Sequence, residues 1–152
     1  IGLSNENPWG VMRFLIESEK HGLPRIATIQ NPFSLLNRLY EVGLSEIGMR
    51  ENVGLLAYSP LGFGFLSGKY LNGFPDNSRM KLFSNFVRYT NENCFKATRL
   101  YKELAEAHGL TLTQMAIAFV HRQQFVTADF VSLFDLGAPC ILLLIVIFLA
   151  AC

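Results

Sequence analysis

The chain has 152 residues, with thirteen Lys plus Arg against twelve Asp plus Glu and a net charge of +1. That balance argues against a nucleic-acid footprint, which needs a clearly basic face, and against a disordered acidic segment. Hydrophobic residues make up 51% and charged residues only 16%, and the excess gathers at the end, where Leu136 to Cys152 carry no charge at all.

In chain order, Ile1 to Leu3 reads as a strand stub. Asn7-Pro8 is a helix start, with Asn7 as N-cap and Pro8 at the first helical position. Met12, Leu15 and Ile16 recur at helical spacing as far as His21, and Gly22 ends the helix. Ile26 to Gln30 is a β-branched strand that Asn31-Pro32 is expected to break. Asn37 to Met49 reads as a second amphipathic helix, and Val53 to Tyr58 as a buried strand. Ser59 to Lys69 is a glycine-rich aromatic loop, and Tyr70 to Tyr89 a long surface excursion. Glu92 to His108 is a helix stopped by Gly109; Thr111 and Gln114 signal a capped helix over Met115 to Arg122; Phe125-Val126-Thr127 begins another strand.

Strands alternating with helices argue for βαβ units and a parallel sheet, either doubly wound or part of a (β/α)₈ barrel. In a barrel, functional residues follow the C-terminal strand ends. Polar residues fall there in this chain: Ser4-Asn5, Gln30-Asn31 and Tyr58-Ser59. The three cysteines, Cys94, Cys140 and Cys152, have neither metal-ligand nor disulfide-framework spacing. They fit a reducing, cytoplasmic compartment. No metal site is expected. No signal peptide opens the chain, and its start without Met suggests a piece of something longer.

Gly2-Leu3-Ser4-Asn5, Thr28-Ile29-Gln30-Asn31, Ala57-Tyr58-Ser59-Pro60-Leu61-Gly62 and Leu66-Ser67-Gly68-Lys69-Tyr70 occur in one order and spacing that resembles the C-terminal half of the aldo-keto reductases. The resemblance is to the branch of Tas-like reductases and potassium-channel β subunits. Gln114 to Val120 matches that family's last barrel helix. The resemblance covers residues 1–127. It implies a partial (β/α)₈ barrel, with strands five to seven and the start of eight. It also implies an extended NADP(H) site and reduction of small aldehydes and ketones by hydride transfer.

Carried over by position, the resemblance implies that Ser4, Asn5 and Gln30 hold the nicotinamide carboxamide, as donors and acceptors can. Tyr58 would stack on one nicotinamide face. The loop Ser59, Pro60, Leu61, Gly62 and Phe63 would cover the pyrophosphate with backbone N–H groups, and Lys69 and Arg79 would meet phosphates. Each has a plainer reading. Ser4 and Asn5 are also helix-capping types, Gln30-Asn31-Pro32 is also a turn signal, Tyr58 is also a rim aromatic, and Lys69 and Arg79 are also solvated charges. His21, His108 and His121 read as surface residues at helix ends or on helix faces.

Two departures limit the inference. The family's catalytic Asp, Tyr, Lys and His lie in the first half of its barrel, and none matches here, so no catalytic residue is assigned. After Thr127 the sequence leaves the family's pattern, and residues 128–152 read as a divergent apolar tail, an aberrantly joined or frameshifted end. As a helix, its last seventeen residues would reach about 25 Å, short of a bilayer core of about 30 Å. The expectation is an oxidoreductase fragment, inactive alone. Two alternatives stand beside it: a non-catalytic half-barrel module that pairs with itself or a partner through exposed edges, and a tail-anchored membrane protein.

Overall fold

The computed structural model describes residues 1–83 and 85–132 and the backbone of 144–148. Four parallel strands lie side by side in chain order: β1 (Gly2–Ser4), β2 (Thr28–Pro32), β3 (Gly54–Tyr58) and β4 (Val126–Ser132). The crossovers carry α1 (Pro8–His21), then α2 (Leu44–Glu51), then α3 (Arg79–Leu82), α4 (Glu92–Ala107) and α5 (Leu112–His121). Strand order never jumps, and α1, α2 and α5 contribute Val11, Leu15, Leu44 and Val120 to one core with Ile29, Leu55 and Ala57 of the sheet. A doubly wound sheet would cover both faces and reverse its strand order. The chain is therefore an α/β fold, a consecutive segment of a (β/α)₈ barrel.

Local chemistry explains the elements. The Asn7 side chain accepts the Gly10 N–H at 3.0 Å, Pro8 opens α1, and Gly22 closes it in the left-handed conformation. At α5 the Thr111 hydroxyl accepts the Gln114 N–H at 3.2 Å, while the Gln114 side chain accepts the Thr111 N–H at 2.9 Å. Asn91 caps α4 by accepting the Cys94 N–H.

Three expectations need correction. The helix expected over Asn37 to Met49 is split: a 3₁₀ turn at Leu39–Glu41 precedes α2, because the backbone turns through Gly43 at φ +96. Asn31-Pro32 does not end β2. The β1 pairing stops at Ser4–Gln30, so Pro32 sits where one side of β2 has no ladder to feed, and its missing N–H costs nothing there. The excursion from Tyr70 to Tyr89 is anchored, not merely superficial. Tyr70, Met80 and Tyr89 are buried with Phe65 in an aromatic cluster.

The apolar end is extended where it is described. β5 (Leu144–Phe148) runs antiparallel to β4. The tail-anchor expectation falls on residues 136–152, which apart from that strand backbone lie outside the described residues. Among the described residues no helix is long and apolar enough to cross a membrane.

The main core holds one costly group. Tyr40 is 2% exposed, packs on Phe125 and finds no hydrogen-bond partner for its hydroxyl among the described residues. Burial pushes its pKa up to about 12 from the ordinary value of 10.0. The folded chain thus keeps this proton to higher pH than the unfolded chain does, and stability falls as pH rises from about 10 toward about 12. Tyr40→Phe is expected to gain about 1 kcal/mol at pH 7 by removing the unpaired hydroxyl, and to flatten that alkaline fall. Urea unfolding of both proteins at neutral and alkaline pH measures this, and a less stable variant at pH 7 refutes it.

Candidate functional site

Parallel register brings the C-terminal strand ends together. Ser4 pairs with Gln30 and Gln30 with Leu56, while Pro32 pairs with Tyr58 and Tyr58 with Phe130. Because Ile29, Leu55 and Ala57 fill the helix-facing core, Ser4, Gln30, Leu56 and Tyr58 share the opposite face. The Tyr58 hydroxyl donates to Asn5 Oδ1 at 2.8 Å, and Asn5 Nδ2 donates to Ser4 Oγ at 3.2 Å. The Asn5 backbone N–H is fixed to the Gln30 carbonyl at 2.9 Å. Since Asn7 caps α1, Ser4 and Asn5 are not used for capping. Asn5 keeps one amide proton and a lone pair, Ser4 a hydroxyl proton, and the Gln30 side chain is half-buried on the same face.

Strain collects here. Among the described residues four non-glycine residues have positive φ, and Asn5, Ser59 and Phe63 are three of them. Such conformations cost free energy and persist where surrounding structure enforces them. After Tyr58 the chain enters a tight series of turns. Gly62 at φ +55 and Gly64 at φ +89 suit conformations that other residues resist, and a Cβ on Gly62 would press on Leu36 at 3.3 Å. Turn bonds occupy the N–H groups of Gly62, Gly64, Phe65 and Leu66. Those of Leu61 and Phe63 have no acceptor among the described residues. Ser59 and Pro60 are buried, and the Leu61 side chain belongs to a second core with Leu66, Leu112, Ala116 and Val131. That packing pins the loop from below.

The basic residues reach this loop from the next segment. The Arg79 guanidinium lies 5.5 Å from the Phe63 ring centre, and the Lys69 ammonium lies 5.1 Å from that of Tyr70. Sequence reasoning missed Arg88. Its guanidinium lies 5.7 Å from the same Phe63 ring. A side-chain hydrogen bond with Tyr58 holds its pKa above the ordinary value, against partial desolvation. The neighbouring Tyr89 phenol is pushed up mainly by burial, with Asn37 and Arg88 opposing. Edge contacts of Phe63 with Phe86 and Tyr89 fold this segment over the loop. The available signal was the spacing of Phe83, Phe86 and Tyr89 around Arg88, too aromatic for a solvated excursion.

A second missed feature lies behind the sheet. His121 was expected on the surface, but its side chain is 23% exposed and its Nε2 lies 2.7 Å from Oδ1 of Asp129, which is wholly buried. His21 and His108 are exposed at helix ends, His21 beside Glu17 and His108 against the Leu104 carbonyl. Among the described residues no group of three or more His, Cys, Asp or Glu forms a metal site. Cys94 is a free thiol; Cys140 and Cys152 lie outside the described residues.

Comparison with known proteins agrees with this architecture. The sequence model of the aldo/keto reductase family matches residues 1–135. The chain is 58% identical to Protein tas of Escherichia coli (strain K12) over 129 residues, covering 84% of this chain and 37% of that protein. It is 31% identical over 138 residues to the L-glyceraldehyde 3-phosphate reductase of Escherichia coli O157:H7, covering 87% of this chain and 40% of that protein. An aldo-keto reductase of Babesia bovis is 33% identical over 141 residues, covering 88% and 50%. The chain thus spans half the length of these relatives or less, and with the family's sequence model matching most of it, it belongs to the aldo/keto reductase family.

Proposed function

We propose that the chain carries the cofactor-binding part of an NADP(H)-dependent reductase of small carbonyl compounds. The observation that supports this reading best is the hydrogen-bonded convergence of Ser4, Asn5 and Tyr58 at strand ends, beside a strained loop whose Leu61 and Phe63 N–H groups have no acceptor among the described residues. The donor set fits the group. Ser4, Asn5 and Gln30 offer both donors and acceptors to a carboxamide. The Tyr58 ring offers a flat apolar face to a planar heterocycle. The Leu61 and Phe63 N–H groups, with Arg79 and Lys69, suit the anionic oxygens of a pyrophosphate and a further phosphate.

NADP(H), when bound, supplies a hydride to a carbonyl carbon. The chain's own part is to bind and orient. Tyr58, held by Asn5, covers one ring face and leaves the other to the substrate. Its hydroxyl is committed to the Asn5 oxygen, so it is not assigned as the proton donor, and no catalytic residue is assigned in this chain. One relative is named for reduction of L-glyceraldehyde 3-phosphate, a carbonyl compound of the class proposed.

The purified chain is expected to bind NADPH and to turn over no aldehyde. Tyr58→Ala is expected to weaken NADPH binding about tenfold, the loss of one aromatic stacking contact. Fluorescence titration with NADPH measures this. Equal affinity in the variant rules out Tyr58 as the platform, and aldehyde turnover by the chain alone rules out the division of labour.

A further inference from the structure

Beside Tyr58 lies an open groove of about 670 Å³, lined by Pro32, Leu36, Asn37, Arg88, Tyr89 and Cys94 among others. It begins at Pro32, the residue paired with Tyr58 across the sheet, so the groove adjoins the strand-end site. Arg38, also on its wall, is spent. Its guanidinium makes two hydrogen bonds to Glu41, at 2.8 and 3.0 Å. Arg88 differs. Its neighbours are the phenols of Tyr58 and Tyr89 and the face of Phe63, and no carboxylate pairs with it among the described residues. A guanidinium carries five N–H donors in a planar fork, and one bond to the Tyr58 phenol leaves most of them unused. The ring of Phe63 and the packing of Tyr89 hold the fork at the groove mouth, which lowers the ordering cost of binding.

We propose that Arg88 recognises an oxyanion group, carboxylate or phosphate, on the carbonyl substrate, and thereby selects anionic over neutral carbonyl compounds. The proposal rests on the reading of Tyr58 as the nicotinamide platform. A substrate whose carbonyl approaches the open face of that ring has its remainder in the groove, within reach of Arg88. Arg79, on the same Phe63 ring, is left to the cofactor.

The test uses the isotope-labelled chain with and without NADP⁺. It is titrated with succinate, inorganic phosphate and neutral butyramide, and followed by amide chemical shifts. Both anions are expected to perturb residues around Arg88, and butyramide is not. Arg88→Gln keeps an N–H for Tyr58 but removes the charge, and is expected to weaken anion binding about tenfold, as expected when a charge-assisted hydrogen bond is lost. Arg88→Lys is expected to retain most of it. NADP⁺ affinity is expected to stay within about twofold, the scatter of a contact not made. A preference for one anion assigns the group as carboxylate or phosphate. Undiminished anion binding in Arg88→Gln overturns the proposal, as does a comparable loss of NADP⁺ affinity, which would return Arg88 to the cofactor site. Failure of the unaltered chain to bind NADP⁺ refutes the platform reading, while the anion titration without cofactor still decides whether Arg88 holds an oxyanion.

Discussion

Truncating Phe33 to alanine is expected to destabilise the chain by about 3–5 kcal/mol, lowering the melting temperature by about 10 °C for a chain of this size. Phe33 is wholly buried, its ring stacked on Phe119 at 5.6 Å and edge-on to Phe125 at 5.3 Å. Those contacts join the end of β2 to α5 and to the entry of β4, so the cavity left by truncation touches three elements at once. The residue also ties the fold to the site, because its N–H donates to the Tyr58 carbonyl at 3.2 Å. Phe14, 47% exposed on α1, serves as the contrast: Phe14→Ala is expected to cost less than about 0.5 kcal/mol. Urea unfolding of the three proteins compares them. A loss below about 1 kcal/mol for Phe33→Ala would mean that the core collapses around the gap and that these ring contacts contribute little.

Removing His121 is expected to cost about 3 kcal/mol, through what it leaves behind rather than through its own contacts. Asp129 is fully buried, and among the described residues Oδ1 has only the imidazole and Oδ2 has no partner. His121→Ala therefore strands a carboxylate in the interior, whose transfer from water is costly unless paired. Removing both polar groups avoids that penalty. The double variant His121→Leu, Asp129→Val is expected to recover most of the stability, because an apolar pair of similar volume is often as good as a buried ion pair. Thermal and urea unfolding of the single and double variants form the cycle. A double variant no more stable than His121→Ala would show that the imidazole matters for packing, not for the carboxylate.

The contrast between those two residues shows what could be read beforehand. Elements with local chemical signals were legible: Asn7-Pro8 and Gly22 bound α1, and Thr111 with Gln114 opens α5. The barrel-like order followed from alternating periods, and the grouping of Ser4, Asn5 and Tyr58 from polar residues at strand ends. What escaped depends on distant partners. Val42-Gly43 broke a helix whose apolar spacing continued through it. Arg88 lay in a stretch whose Gly73, Pro75 and three asparagines hid the burial of Tyr70, Met80 and Tyr89. His121 and Asp129 are eight positions apart, but they meet only after α5 has turned back onto β4, and neither sits in a local motif.

The pairing of β3 with β4 also bears on how the strand can be read. Leu55 is opposite Val126 and Leu56 opposite Ala128, so Thr127 is a supernumerary residue in the ladder. Strict alternation counted from Val126 would turn Ala128 toward the helices and Asp129 toward the face that carries Tyr58. The bulge delays the count by one, which puts the carboxylate behind the sheet and Phe130 in the row of Tyr58. Thr127 thus acts as a phase shifter, and the two parts of one strand follow different parities. Any alignment that gains or loses a single residue there exchanges the roles of every side chain beyond it, and decides whether a charge meets the helix layer or the face that carries Tyr58.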